Sequence, residues 1–188
     1  PIGNPLGRDK IEQELLVTHL SLYQFLLYTK ESQKYFPYIE SYFLDSGIPD
    51  DFKYLAVAES SLQTDAESRV GARGMWQLMP DTARRFGLRV DADIDERLHF
   101  ERSTRAAAAY ILYLKKIFGN WTLAAAAYNR GENGLQRDQA SQPGAKDYYD
   151  LVLNRETGNY IYRIVAIKYL MQNRWKLFSP EFLGGVFE

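Results

Sequence analysis

The sequence contains no cysteine. That excludes disulfides, thiol nucleophiles and cysteine-ligated zinc. It suits a reducing compartment, and equally an exported protein that needs no disulfide. No apolar run reaches the ~20 residues of a membrane-spanning helix. Neither sign of charge is in excess: 23 basic and 24 acidic residues leave a net charge of −1. A balance of this kind gives no electrostatic footprint for nucleic acid or for an anionic membrane surface. There is no paired-histidine motif, and His19 has no second ligand at metal-binding spacing, so it reads as structural. No Gly-Lys-Ser/Thr phosphate loop occurs. No segment alternates apolar and polar residues in the way a half-buried strand does.

Apolar residues make up 46% of the 188-residue chain, enough to fill the core of one domain or one domain with a small appendage. Aromatic side chains are plentiful, with 14 Tyr, 10 Phe and 3 Trp. Aromatic rings fill cores first. They also stack on the flat C–H faces of sugars, and Tyr and Trp keep a polar handle while doing so. The opening residues PIGNPLGRDK read as neither a signal peptide nor a lipidation signal. An exported form would carry its signal outside this sequence.

The periodicity is helical throughout. Residues 1–8, with two Pro and two Gly, read as a frayed terminus or linker. Asp9 reads as the N-cap of a helix reaching about Lys30, with Ile11, Leu15, Leu22, Phe25 and Leu26 at helical spacing. A second helix is expected from Gln33 to Ser46. It would have Ile39, Phe43 and Leu44 on its apolar side, Pro37 confined to its first turn and Gly47 as its stop. Pro49-Asp50-Asp51 opens a third. A short helix follows at Pro80. The acidic stretch 88–100 lacks the glycine and terminal glutamate of an EF-hand and reads as a solvated loop. Alanine-rich helices are expected over 101–118 and 121–129. Residues 131–155 read as a Gly-rich exit followed by a polar mixed segment. A last helix spans about 156–174. The fold class is all-α.

One carboxylate stands out. Phe52, Leu55, Ala56 and Glu59 fall at i, i+3, i+4 and i+7, so Glu59 shares the stripe that faces the core. Most glutamates near a helix end reach solvent. A carboxyl on this stripe is desolvated, its charged form is disfavoured and its pKa rises, as a general acid requires. A polar loop follows, then Gly71 and Gly74 flanking Ala72-Arg73, where glycine permits tight turns or close approach of a ligand. Tyr128 and Asn129 end an alanine-rich helix, where side chains can project into a cleft.

The ordered set Glu59-Ser60, Gly71-Ala72-Arg73-Gly74-Met75-Trp76-Gln77-Leu78-Met79-Pro80 and Ala127-Tyr128-Asn129 resembles the SLT-type lytic transglycosylases. These are goose-type-lysozyme-like enzymes that cleave peptidoglycan. Glu156-Thr157 with Tyr160 resembles the membrane-bound lytic transglycosylase D subgroup. The resemblance covers roughly residues 48–173. Met75-Trp76 is a mild variation, since the family commonly carries Leu at the first of these positions and often Met or Trp at the second.

The resemblance implies a lysozyme-like helical domain over 48–175, an N-terminal helical segment at 1–47 packed on it, and a tail at 176–188. It implies Glu59 as sole acid and then base. Glu59 would protonate the MurNAc-β-1,4-GlcNAc oxygen and then deprotonate the C6 hydroxyl, leaving 1,6-anhydro-MurNAc ends. Ser60, Met75, Gln77, Tyr128, Asn129 and Tyr160 are its expected substrate-binding residues, with no metal and no cofactor. The implied partners are peptidoglycan glycan strands, with other cell-wall enzymes or regulators beside them, in the bacterial periplasm or envelope. Ordinary glycosidases use two carboxylates. The nearest second candidates, Asp65, Glu67 and Asp81, read as loop or helix-start acids. The residues alone leave open a lysozyme-like hydrolase or a wall-binding module without activity.

Overall fold

Apolar spacing of three and four residues builds the N-terminal helices. The structure, a computed structural model, describes residues 5–19 and 22–173. The first helices are α1 (Pro5–His19) and α2 (Leu22–Asp45). The sequence predicts a break near residues 30–33. The structure instead carries α2 unbroken from Leu22 through that stretch. Phe25, Tyr28, Ser32, Tyr35, Ile39 and Phe43 are all buried and form one continuous helical stripe. The polar residues that look like a loop satisfy themselves within the helix. Thr29 Oγ1 donates to the Phe25 carbonyl at 3.0 Å and Ser32 Oγ to the Thr29 carbonyl at 2.9 Å.

Pro37 therefore lies inside α2 rather than in a first turn. A proline there removes one backbone hydrogen bond, to the carbonyl four residues back. That residue, Gln33, is exposed like Pro37 itself, so water can serve the freed carbonyl. Leu44 does not join the apolar side either, being 80% exposed. Residues 5–8, read as a frayed terminus, are helical, and Asp9 lies inside α1 rather than capping it. His19 closes α1. The tail at 176–188 lies outside the described residues.

A 3-10 turn at Asp50–Phe52 leads into α3 (Lys53–Ser60). Lys53 is buried, and its ammonium bonds Glu40 and Asp50 at 2.6 Å each, tying α3 to α2. The remaining helices are α4 (Pro80–Arg85), α5 (Phe100–Phe118), α6 (Trp121–Arg130), α7 (Glu132–Ala140) and α8 (Arg155–Gln172). Ala106–Ala108 of α5 and Ala124–Ala127 of α6 are almost wholly buried, and α5 packs on α6. Side chains this small let two helices approach closely. α8 packs against α1, α3 and α6. The α1 contact includes Lys10 Nζ donating to the Gly158 carbonyl at 3.3 Å and an Arg163–Glu14 ion pair at 3.1 Å.

α7 occupies a segment that reads as loop. Asn133 and Gly134 are poor helix residues. Tertiary anchors override them: Leu135 is fully buried, and Glu132 at the helix start pairs with Arg85 at 3.0 Å. Among the described residues the only β-pairing is isolated bridges, as between Arg73 and Leu78, so the fold is all-α. No helix among them is long and apolar enough to cross a membrane.

Candidate active site

Glu59 is the penultimate residue of α3. The helix stops because Ser61 turns left-handed at φ 60°, followed by Leu62 at φ 65°. Left-handed backbone is uncommon for residues other than glycine. Leu62 is 1% exposed, and its burial holds the turn. The carboxyl of Glu59 is thus left at a helix end, half-buried, on a cleft of about 390 Å³. Gln77, Tyr128, Asn129, Arg130 and Glu156 line the same cleft, with Val70, Leu78 and Met79 as an apolar wall.

Tyr160 of α8 is 1% exposed, and its hydroxyl donates to Glu59 Oε1 at 2.5 Å. Two opposed effects act on the acid. Burial penalises the carboxylate and is the largest influence. The Tyr160 hydrogen bond stabilises the carboxylate and works against it. Glu156 adds a smaller upward push and Arg163 a smaller downward one. The result is a pKa raised to about 7. Glu59 is therefore substantially protonated near neutral pH and can both give and take a proton there.

The segment after α3 is fixed to the core by Trp76. Its indole is fully buried against Phe43, and Nε1 donates to Thr104 Oγ1 of α5 at 3.0 Å. Gly71 and Gly74 both have positive φ. A side chain on Gly74 would place its Cβ 2.0 Å from the Arg97 carbonyl oxygen, so only glycine lets the backbones approach there. Arg97 is itself 4% exposed. It donates to the carbonyls of Gly71 at 2.8 Å and Leu78 at 3.0 Å, and pairs with Asp95 at 2.7 Å. The acidic loop is thus more than a solvated stretch. Asp95 anchors Arg97, and Asp91 accepts from the backbone of Asp93 and Ile94. Among the described residues no His, Cys, Asp and Glu group could hold a metal.

Gln77 sits in the left-handed region at φ 46°. Its Nε2 donates to the carbonyls of Gly74 at 2.9 Å and Ala66 at 3.2 Å, which pins the side chain at the cleft. Tyr128 is 9% exposed and donates to the Trp76 carbonyl at 2.7 Å, binding α6 to the Gly-flanked loop. Asn129 uses both ends of its amide: Nδ2 donates to Glu156 Oε1 at 3.1 Å, and Oδ1 accepts from Thr157 Oγ1 at 2.8 Å.

Three of the expected substrate-binding side chains are not on the cleft surface. Ser60 is 8% exposed, and its hydroxyl donates to the Met75 carbonyl at 2.7 Å. Met75 is fully buried. Tyr160 faces Glu59 from behind. These three hold the acid and its loop in place. Conversely, Glu156 and Arg130 line the cleft without a sequence-based assignment as binding residues. Glu156 lies four residues before Tyr160 on α8, the spacing that shares one helix face, and that signal was available. Of the second-carboxylate candidates, Asp65 is exposed, Glu67 pairs with Arg73 at 2.7 Å, and Asp81 is fully exposed beside Arg84. Glu156 is the second carboxyl on the cleft lining.

The family model for the Transglycosylase SLT domain matches residues 45–151. The chain belongs to the SLT transglycosylase family. As an SLT domain it is 30% identical over 149 residues to the membrane-bound lytic murein transglycosylase D of Escherichia coli K12, covering 77% of this chain and 33% of the relative. The chain thus spans about a third of the length of that curated relative. Among solved structures, the SLT fold here is similar to the 70 kDa soluble lytic transglycosylase of Escherichia coli. The TM-score is 0.56 at 25% identity, over 72% of this chain and 23% of that one. A complex of the 70 kDa soluble lytic transglycosylase with bulgecin A superposes over 93% of this chain and 30% of that one. Its TM-score is 0.66 at 22% identity.

Proposed function

We propose that this SLT domain is a peptidoglycan lytic transglycosylase with Glu59 as its one proton carrier. The observation that carries the proposal is a carboxyl at a helix end on the cleft, held by the Tyr160 hydroxyl at 2.5 Å, with burial pushing its pKa up to about 7. Glu59 gives its proton to the glycosidic oxygen as the bond from that oxygen to C1 of the muramic sugar breaks. The carboxylate then removes the proton from the C6 hydroxyl, whose oxygen closes on C1 as a 1,6-anhydro ring. The proton is back on Glu59 and no water is consumed. Gln77 and Asn129 contact the sugars, and Tyr128 fixes the wall that faces Glu59. Residues 48–175 are the catalytic unit, and the helices of 1–47 support it. The relatives carry membrane-bound and lytic murein transglycosylase names, which fits action at the bacterial envelope on glycan strands, alongside other cell-wall enzymes or regulators.

Mass spectrometry of muropeptides released from purified sacculi tests the proposal. Anhydro-muramic ends are expected, and Glu59→Gln abolishes them. Glu156 favours one second reading, a lysozyme-like hydrolase, because it supplies another carboxyl on the cleft. Reducing muramic ends without anhydro ends would establish that reading. Binding of sacculi with no cleavage by the unaltered chain would leave a wall-binding module.

A further inference from the structure

Arg130 ends α6 next to Asn129 and is the basic side chain on the cleft lining. Its guanidinium is held along one edge. Nε donates to Asp138 Oδ2 at 2.7 Å and Nη2 to Asp138 Oδ1 at 3.4 Å. Among the described residues no acceptor pairs with Nη1. The path of the side chain depends on Gly134 in α7. A Cβ at that position would stand 3.1 Å from Arg130 Cγ and 3.4 Å from Nε. Gly134 and Asp138 are four residues apart on one helix, so they lie on one face of α7. One gives the arginine its seat and the other clamps it. Glycine is a poor choice inside a helix, and here it has a use.

The neighbouring charges do not consume the free edge. Arg85 is committed to Glu132 and to the face of Tyr113. Glu156 accepts from Asn129. Glu59 accepts from the Tyr160 hydroxyl at 2.5 Å. A guanidinium on a cleft lining with one edge fixed and Nη1 without an acceptor suits a carboxylate, since its planar donors match a carboxylate or a single oxygen of one. We propose that Arg130 is a specificity-determining residue that binds a carboxylate carried on the lactyl arm of the muramic sugar. The proposal rests on the peptidoglycan reading above. Such a carboxylate has two sources. It is the lactyl group itself on strands without peptide, or an acidic group of the stem peptide on strands that bear one.

The test uses two pairs of glycan strands. One pair is peptide-free, with the lactyl carboxyls either free or converted to amides. The other bears stem peptides whose carboxyls are either free or amidated. Within one pair the unaltered protein should prefer the free acid by about fivefold in kcat/KM, the size of one partly exposed charged hydrogen bond. The responding pair identifies the source. Arg130→Gln should bring that ratio to about one, while Arg130→Lys should keep part of it. Gly134→Ala separates the proposal from a purely structural α6–α7 ion pair. It keeps the charge but crowds the seat, so the ratio should fall even though the helix gains propensity. A ratio unchanged in Arg130→Gln would overturn the proposal, and one unchanged in Gly134→Ala would overturn the role given to the seat. So would equal use of acid and amide by the unaltered protein. If no strand is cleaved, the catalytic reading fails on its own. Calorimetric binding of the same four strands then still decides the carboxylate site, because equal affinity within both pairs overturns it.

Discussion

Replacing Glu59 by glutamine should make the protein more stable above neutral pH and leave its stability nearly unchanged in acid. In the unfolded chain the carboxyl titrates near 4.5, and in the folded protein near 7. Between these values the folded state holds the proton more tightly. The stabilisation this provides is fully present below pH 4.5 and is lost as pH rises through about 7. At pH 8 the folded protein carries a desolvated carboxylate that the unfolded chain would keep in water. The shift from 4.5 to about 7 corresponds to about 3 kcal/mol at 1.36 kcal/mol per pH unit. Glutamine is uncharged at every pH and keeps an oxygen for the Tyr160 hydroxyl. The variant should therefore exceed the unaltered protein by about 3 kcal/mol at pH 8, or on the order of 6–12 °C in Tm for a chain of this size. Near pH 4 the two should converge. Paired thermal or urea unfolding from pH 4 to pH 8 measures the difference, in which every other titrating group cancels. A difference that is flat with pH, or larger at pH 4 than at pH 8, would refute the burial argument for Glu59.

Other substitutions test neighbouring parts of the same reasoning. Tyr160→Phe removes the donor that stabilises the Glu59 carboxylate. The acid should rise further above 7, and the alkaline limb of kcat/KM should move up by about one pH unit. A limb that moves down or stays still contradicts the assigned role. Gly74→Ala combines a positive φ with a Cβ 2.0 Å from the Arg97 carbonyl oxygen. It should cost about 2 kcal/mol or more in urea unfolding, and unchanged stability would contradict the close approach. Arg97→Met removes the bonds to Asp95 and to the carbonyls of Gly71 and Leu78, leaving Asp95 with Arg73 at 3.3 Å and the Gly71 carbonyl with no donor among the described residues. A loss of about 3–5 kcal/mol is expected by the same measurement, and a loss below 1 kcal/mol would show that the loop does not depend on it.

The acid at the centre of the cleft was legible because α3 keeps a strict pattern. Phe52, Leu55 and Ala56 are buried, and Glu59 continues their stripe to the helix end. The alanine runs of α5 and α6 were legible for the same reason, since small apolar residues at helical spacing have few other uses. α7 was not, because its helix depends on Leu135 and on ion pairs to Arg85 and from Arg130, none of which a local pattern contains. Pro37 misled because its solvent exposure inside a long helix is a tertiary fact. A sequence motif also does not tell a residue that touches a ligand from one that holds such a residue. Ser60 and Met75 belong to the resemblance as firmly as Gln77 does, yet they lie behind the cleft wall.

The bond between Tyr160 and Glu59 joins residues 101 positions apart. The acid belongs to a short helix in the first third of the chain, while its hydroxyl partner and Glu156 come from α8 near the end. A growing or partly folded chain without α8 docked has an exposed, ordinary glutamate at position 59, ionised at neutral pH and unable to serve as a proton donor. The proton affinity of Glu59 is thus a report on whether the whole fold has closed. The proposed proton transfer would therefore begin only once α8 is seated against α3.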